Sequence, residues 1–411
     1  MQYALAVFAL ATLGTGLSDV SPATQPAGTV VDARNVLAVQ RETDDPGTGR
    51  YDWAPSVVYD GELYRMWFVR LGGSNAKRFP YAGLLPDGER FEFTYPDYGD
   101  RIYYAESRDG TTWHLDGEDF SGPPEAYGPD SPGPLLVIGP AESAHERMHV
   151  GCPSVIRVDG TWYLYYETSC EFKLHRDANG KPAVGNEYHA QVFVATSENG
   201  RTWRKHPDNR SPLPIIAAPE ANKRPGRQRY GLGQPSVFYR DGRFVLHYVD
   251  SCNGPGDFIV RVEADNPRFK NARVFREDLA PGPQIPSGAV ARFAQTDVKY
   301  LGDVFYLVRP AYGTGNLNLL ASRSGVFNAD ANAQHPKDVF PQVRISDPRD
   351  PTWRERLFPR FLTDPEGRIL IRDHRATLFY SSGAGFKDKA YTWDIHRCEV
   401  ELPRKVTGYR E

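Results

Sequence analysis

The sequence predicts an all-β fold, a five-bladed β-propeller, from three observations. A strand–turn–strand unit recurs five times, a second strand–turn–strand motif follows some of its copies, and turn residues are abundant. Glycine (38) and proline (34) suit many short strands joined by tight turns. Hydrophobic residues make up 40% and aromatics 12% of the 411 residues, enough for a large core.

In chain order, the N-terminus comes first. Ala4–Leu13 is an apolar run too short to span a bilayer, followed by small residues and a polar stretch from Ser18 to Gly28. Residues 1–28 are read as a signal peptide and linker, although no Lys or Arg precedes the run; an apolar N-terminal strand is the alternative. The expected location is therefore secreted or periplasmic, and residues 29–411 are read as a single propeller domain.

Three copies of the main unit align along their length: Ala54–Phe68, Cys152–Tyr166 and Gln234–Tyr248. Each carries Pro-Ser-Val, an alternating apolar run, Asp-Gly and a second, aromatic-rich run. Asp-Gly between such runs signals a hairpin, because a type I′ turn needs positive φ. In the first copy the Asp-Gly falls one residue early. Thr296–Val308 is a fourth copy that turns at Leu301-Gly302, and Arg360–Asp373 a fainter fifth that turns at Pro365-Glu366-Gly367. Ile102–His114 and Val192–His206 share Ala-x-Ser-x-(Asp/Asn)-Gly-x-Thr-Trp, read as the third and fourth strands of a blade; Leu319–Phe327 is a reduced copy.

Strand direction then locates the working face. The A–B and C–D turns of an antiparallel blade share one face, and the B–C and D–A connections share the other. The long insertions, Arg70–Arg101, Asp116–His149 and Cys170–Gln191, are all B–C or D–A connections. They gather where the A strands begin, the usual layout of a site on a rigid scaffold. Trp113 and Trp203 fall on the opposite face and read as packing. Phe79, Tyr81, Phe91, Phe93, Tyr95 and Tyr98 crowd the first insertion, for sugar stacking or for packing the loop.

The repeat from Tyr51 to Trp393 resembles the five-bladed propeller glycoside hydrolases: the arabinanase/xylosidase family 43, the invertase family 32 and the levansucrase family 68. That resemblance implies three carboxylates near the starts of the first three A strands. Tyr51-Asp52-Trp53-Ala54-Pro55 resembles the levansucrase motif Trp-Asp-x-Trp-Pro and puts Asp52 at the nucleophile position. It is also similar to the family 43 motif Trp-Ala-Pro-Asp, with Ser56 in place of the aspartate. The second and third family carboxylates are absent, since Cys152-Pro153-Ser154 and Gly233-Gln234-Pro235 stand there. Asp297, aligned with Ser56, Ser154 and Ser236, and Glu167, at the end of strand B, are the replacements expected at the pore mouth.

The resulting expectation is a secreted glycoside hydrolase acting on a furanoside- or xyloside-type oligo- or polysaccharide. Asp52 is nucleophile or base, Glu167 general acid, and Asp297 the tuning or orienting group. Trp53, Gln234, Tyr166, His149 and Asp250 are expected to contact substrate; Glu146 reads as an ordinary loop acid. Each acid also has a structural reading: Asp52 as a turn cap, Asp297 paired with Arg292, Glu167 paired with a rim arginine. The competing function is a non-catalytic carbohydrate-binding propeller that has lost the triad. A sialidase-like six-bladed enzyme is a third reading, because Ser-x-Asp-Gly-x-Thr-Trp is similar to the Asp-box; its spacing is one residue short, and no sixth hairpin is found.

Other classes find no support. Lys+Arg (49) and Asp+Glu (52) nearly balance, and no basic stripe points to nucleic acid. No later segment is apolar enough to span a membrane. No cofactor or metal is expected; the expected partner is a carbohydrate, and the chain is read as a monomer. Cys152, Cys170, Cys252 and Cys398 match no zinc spacing. Cys152 and Cys170 flank one hairpin, either as an opposed pair or as small buried apolar residues.

Overall fold

A computed structural model describes residues 30–32, 51–71, 78–96, 101–115, 149–209, 211–218, 231–252, 258–275, 294–311, 316–323, 325, 327, 342–346, 356–383 and 393–402. The described elements are all strands, with no α-helix among them. The proposed signal peptide and linker, residues 1–28, lie outside these residues.

The first strand, β1 (Val30–Asp32), joins the edge of a later sheet. The first repeat unit runs β2 (Tyr51–Tyr59), β3 (Tyr64–Leu71), β6 (Arg101–Ser107) and β7 (His114–Leu115). A separate hairpin, β4 (Arg78–Leu84) with β5 (Arg90–Pro96), is inserted between β3 and β6. The second unit is β8 (His149–Val158), β9 (Thr161–Arg176), β10 (Pro182–Ser197) and β11 (Arg204–Lys205). The third is β12 (Leu232–Arg240), β13 (Arg243–Asp250), β14 (Phe258–Ala264) and β15 (Arg273–Phe275). The fourth is β16 (Asp297–Leu301), β17 (Val304–Ala311), β18 (Asn316–Ser322) and β19 (Gln342–Ser346), with β1 parallel to β19. The last unit is β20 (Arg356–Thr363), β21 (Ile371–Arg372), β22 (Arg375–Gly383) and β23 (Trp393–Glu401). It joins the first into one eight-stranded sheet through a parallel β2–β20 pair at Val57↔Leu362 and Val58↔Thr363. No hydrogen-bonded sheet closes on itself among the described residues.

The turns follow their sequences. Asp159-Gly160 and Asp241-Gly242 have positive φ at both residues, as a type I′ turn requires. The early Asp60-Gly61 makes a wider turn, in which the Asp60 carboxylate accepts the N–H groups of Glu62 (3.0 Å) and Leu63 (2.8 Å). The Ser-x-(Asp/Asn)-Gly motifs are self-bonded turns: Ser107 Oγ accepts from Gly110 N, and Ser197 Oγ from Gly200 N, both at 2.9 Å. The backbone N–H groups of Thr112 and Thr111 and the Ser107 hydroxyl converge on Asp109 and lower its pKa to about 2.

The fifth hairpin differs from the sequence reading. Strand B is β22, which follows a turn at Asp373-His374 with φ of 51° and 64°. Pro365-Glu366-Gly367 instead starts a long A–B connection. Asp364–Leu370 folds beneath the other units. Pro365 O accepts Arg157 N (2.6 Å), Glu366 O accepts Tyr239 N (2.7 Å), and Ile369 N donates to Tyr300 O (2.9 Å). The local turn signal is real, but backbone partners on three distant strands outcompete hairpin pairing.

Large residues fill the seams between units. Trp67 packs on Trp162 and Trp203, with ring centroids 5.3 and 6.2 Å apart, and Trp113 meets Phe379 edge-on. Each such buried side chain contributes roughly 1.5–3 kcal/mol. Side chains at the same step of strand B also reach the next unit's C–D turn. Trp67 Nε1 donates to Gly200 O (2.9 Å), Tyr165 Oη to Pro267 O (2.8 Å), and His247 Nε2 to Gly325 O (3.1 Å).

The cysteines do not form the opposed pair. His149 faces Ser169, so Cys170 lies beyond the start of β8, whereas Cys152 sits in the bulge between the Gly151–Glu167 and Ser154–Tyr165 pairs. About four residues of strand separate them, roughly 13 Å, too far for a disulfide. Cys152, Cys252 and Cys398 are buried and not disulfide-bonded.

Candidate active site

The mouth of the assembly is built by one backbone feature. Ala54, Cys152, Gln234, Gln295 and Phe358 all have φ between 48° and 60°, although none is glycine. Each stands where an A strand begins, and four of them precede a proline. Four of the A strands carry a register shift there, between Trp53/Ser56, Gly151/Ser154, Gly233/Ser236 and Leu357/Arg360. A left-handed non-glycine residue costs roughly 1–2 kcal/mol and persists only where its surroundings over-determine it.

Here the neighbouring unit does so. Ser381 Oγ accepts Ala54 N (3.1 Å), Glu167 Oε2 accepts Gln234 N (2.5 Å), and Gln234 Oε1 accepts Gln295 N. Two residues further along, the repeated serine holds the next unit's A strand. Ser56 Oγ accepts Val155 N, Ser154 Oγ accepts Val237 N, and Ser236 Oγ accepts Val298 N, each at 3.0 Å. In the fourth unit Asp297 stands at the serine step, and its Oδ2 accepts Phe361 N (2.9 Å).

These contacts define what each expected residue does. Asp52 is 2% exposed and lies in β2 opposite Arg70. Glu167 is 2% exposed, at the mouth end of β9 opposite Gly151. Asp250 is fully buried at the mouth end of β13 opposite Leu232, and its Oδ1 accepts Cys252 N (2.8 Å). Three carboxylates from the first three units thus stand at the level where the A strands begin. Trp53 is half-buried against Phe358, with centroids 4.7 Å apart. Tyr166 departs from its expected substrate contact: it is fully buried and stacked on Phe193 at 5.6 Å, because it faces the seam between units. Gln234 uses its backbone N–H and its side-chain oxygen to link units two, three and four. His149 begins β8; its side chain, Glu146 and Arg292 lie outside the described residues.

Asp297 is more heavily engaged than the others. Its Oδ1 takes Ser236 Oγ–H (2.7 Å) and lies 2.9 Å from Lys299 Nζ and 3.7 Å from Arg360 Nη1. Burial alone would raise its pKa, but Lys299, Arg360, Ser236 and Phe361 N–H outweigh this and hold it below the ordinary value. Burial lowers Lys299, helped by Arg360 and opposed by Asp297. Sequence reasoning missed Lys299 and Arg360. The signal was a break in the repeat: Lys299 replaces the apolar Val58, Ile156 and Phe238, and Arg360 replaces the serine.

Two hairpins rise on the same face. The outer halves of β9 and β10 extend past the mouth, and the β4–β5 hairpin leans on them. Arg176 bonds Asp87 (Nε–Oδ2 2.7 Å) and Glu89 across the gap. A Cβ at Gly83 would lie 2.6 Å from the flexible Cδ1 end of Leu174, which shows how closely the two hairpins approach. Phe91 and Phe93 stack at 5.7 Å on β5. Residues 116–148, the other insertion, lie outside the described residues. Two surface concavities, ≈ 370 and ≈ 330 Å³, sit instead at the outer edges of the second and third units around Arg268 and hold none of the carboxylates. Among the described residues, no group of three or more His, Cys, Asp or Glu side chains is placed to hold a metal ion.

No family model and no curated protein matches the sequence. Solved structures do match. Zg3597, a family 117 glycoside hydrolase produced by the marine bacterium Zobellia galactanivorans, is 14% identical with a TM-score of 0.55, covering 93% of this chain and 96% of that one. Another glycoside hydrolase is 11% identical with a TM-score of 0.52, covering 93% and 96%. BT0996, solved as an RGII complex, is 13% identical with a TM-score of 0.52, covering 92% and 95%. Over nearly its whole length, the chain has the fold of the β-propeller glycoside hydrolases.

Proposed function

We propose that this chain is a glycoside hydrolase whose five units close into a five-bladed propeller. The observation that carries the activity is the set of buried carboxylates, Asp52, Glu167 and Asp250, at the A-strand mouth of this fold. Closure is supported by the circuit of inter-unit bonds, which runs from Ser56 through Ser154, Ser236 and Asp297 and returns from Ser381 to Ala54. Asp52 acts as nucleophile or base and Glu167 as general acid on a furanoside- or xyloside-type oligo- or polysaccharide. Asp297, with both oxygens engaged, acts as the orienting group behind the strained residues. The paired hairpins above the mouth suit an extended saccharide. Export, as a secreted or periplasmic protein, is supported by the apolar run Ala4–Leu13, and the chain acts as a monomer.

The test is hydrolysis of a panel of aryl glycosides and polysaccharides by the wild type, Asp52→Asn and Glu167→Gln. Loss of about 10²–10⁴-fold in either variant is expected for removal of an acid or base. One observation favours a second reading, a carbohydrate-binding propeller without catalysis: Glu167 is bonded to Gln234 N–H, and Pro153-Ser154 and Gly233-Gln234 stand where the family's other acids would be. Negligible rates in all three proteins, with saccharide binding unchanged by the substitutions, would establish that reading instead.

A further inference from the structure

We propose that the buried edge of the Arg360 guanidinium binds a small inorganic anion of halide size. Arg360 is 2% exposed and projects from the step of β20 that the repeated serine occupies in other units. Its Nη1 donates to Thr296 O and lies 3.7 Å from Asp297. Its Nε and Nη2 are buried and have no hydrogen-bond partner among the described residues. These two nitrogens share one edge of the guanidinium, the fork that takes an anion with two parallel N–H bonds.

Charge counting points the same way. Among the described residues, Asp297 is within 4 Å of two cations, Lys299 and Arg360, so the cluster holds two positive charges against one negative. A guanidinium carries its charge throughout the working pH range of proteins. Lys299 has three acceptors for its three N–H groups: Asp297 Oδ1 (2.9 Å), Ser236 Oγ (2.9 Å) and Val237 O (3.0 Å). These three acceptors favour the ammonium against the burial that lowers its pKa, and with Lys299 charged the cluster carries one more buried cation than anion, an arrangement that proteins avoid. A monovalent anion on the open fork restores neutrality and satisfies both orphaned donors. The anion site lies beside Asp297, the proposed orienting group, at the serine step two residues below the strained residues of the mouth.

The full chain crystallised in sodium bromide is expected to show an anomalous peak on the Nε–Nη2 edge. Thermal unfolding at fixed ionic strength should show a saturable rise in chloride or bromide over gluconate. Above the dissociation constant this amounts to roughly 2 °C per tenfold of halide. Arg360→Gln should lose the response. If that variant does not fold, the wild-type arms decide alone. A water molecule at the fork, or equal melting temperatures in chloride and gluconate, would overturn the proposal.

Discussion

Replacing Asp297 with the serine found in other units isolates the contribution of its charge. In Asp297→Ser an acceptor for Phe361 N–H remains, as Ser56, Ser154 and Ser236 provide for their neighbours. What disappears is the carboxylate 2.9 Å from Lys299 and 3.7 Å from Arg360. Breaking a buried pair by removing one partner costs about 3–5 kcal/mol, because the other charge is left in low dielectric. Lys299→Val, which copies the valine of the first unit at Val58, removes one of the stranded cations. The double variant Asp297→Ser/Lys299→Val should therefore be more stable than the two single losses predict, by about 2 kcal/mol or more. Urea denaturation of the four proteins measures this coupling. Losses that add within about 0.5 kcal/mol would refute the account of a coupled cluster. The pH dependence has a definite sign. Asp297 is held below 3.8 in the folded chain, so its stabilisation is present above the ordinary carboxylate value. It is lost as pH falls through the lower folded value, and the gap between wild type and Asp297→Ser should narrow below pH 3.8.

Two further perturbations probe the seams. Burial, followed by the charge of Arg261, lowers the His247 pKa to about 3, so the ring stays neutral while it donates to Gly325 O. The unfolded chain takes up a proton near pH 6.5 that the folded chain does not. Stability should fall by about 1.4 kcal/mol per pH unit below that point, and a His247→Phe variant should lack this component of the acid titration. Gly367 has φ +87°, and a Cβ there would lie 2.6 Å from Phe238 Cβ and 3.0 Å from its Cα. Gly367→Ala should therefore lower the melting temperature by several degrees, while Gly61→Ala, at φ +99° with nothing within 4 Å, should show only the backbone strain.

The sequence by itself determined the strand pattern and the polarity of the site. Pro-Ser-Val, Asp-Gly and Ser-x-(Asp/Asn)-Gly act over a few residues, so their turns and strands can be read locally, and strand direction then decides which face carries the long insertions. Tertiary structure decided everything that depends on bonds between units. Glu167 meets Gln234 across 67 residues, and Asp297 meets Arg360 across 63. Asp364–Leu370 leaves its expected hairpin because Arg157, Tyr239 and Tyr300 offer it backbone partners. A repeat shows that each unit resembles the last. It does not show which side chain reaches across the seam, since that depends on how far one twisted sheet is rotated from the next. Where one copy departs from the others, as at Asp297, Lys299 and Arg360, the sequence marks the position, and only packing shows that the three charges share one buried cluster.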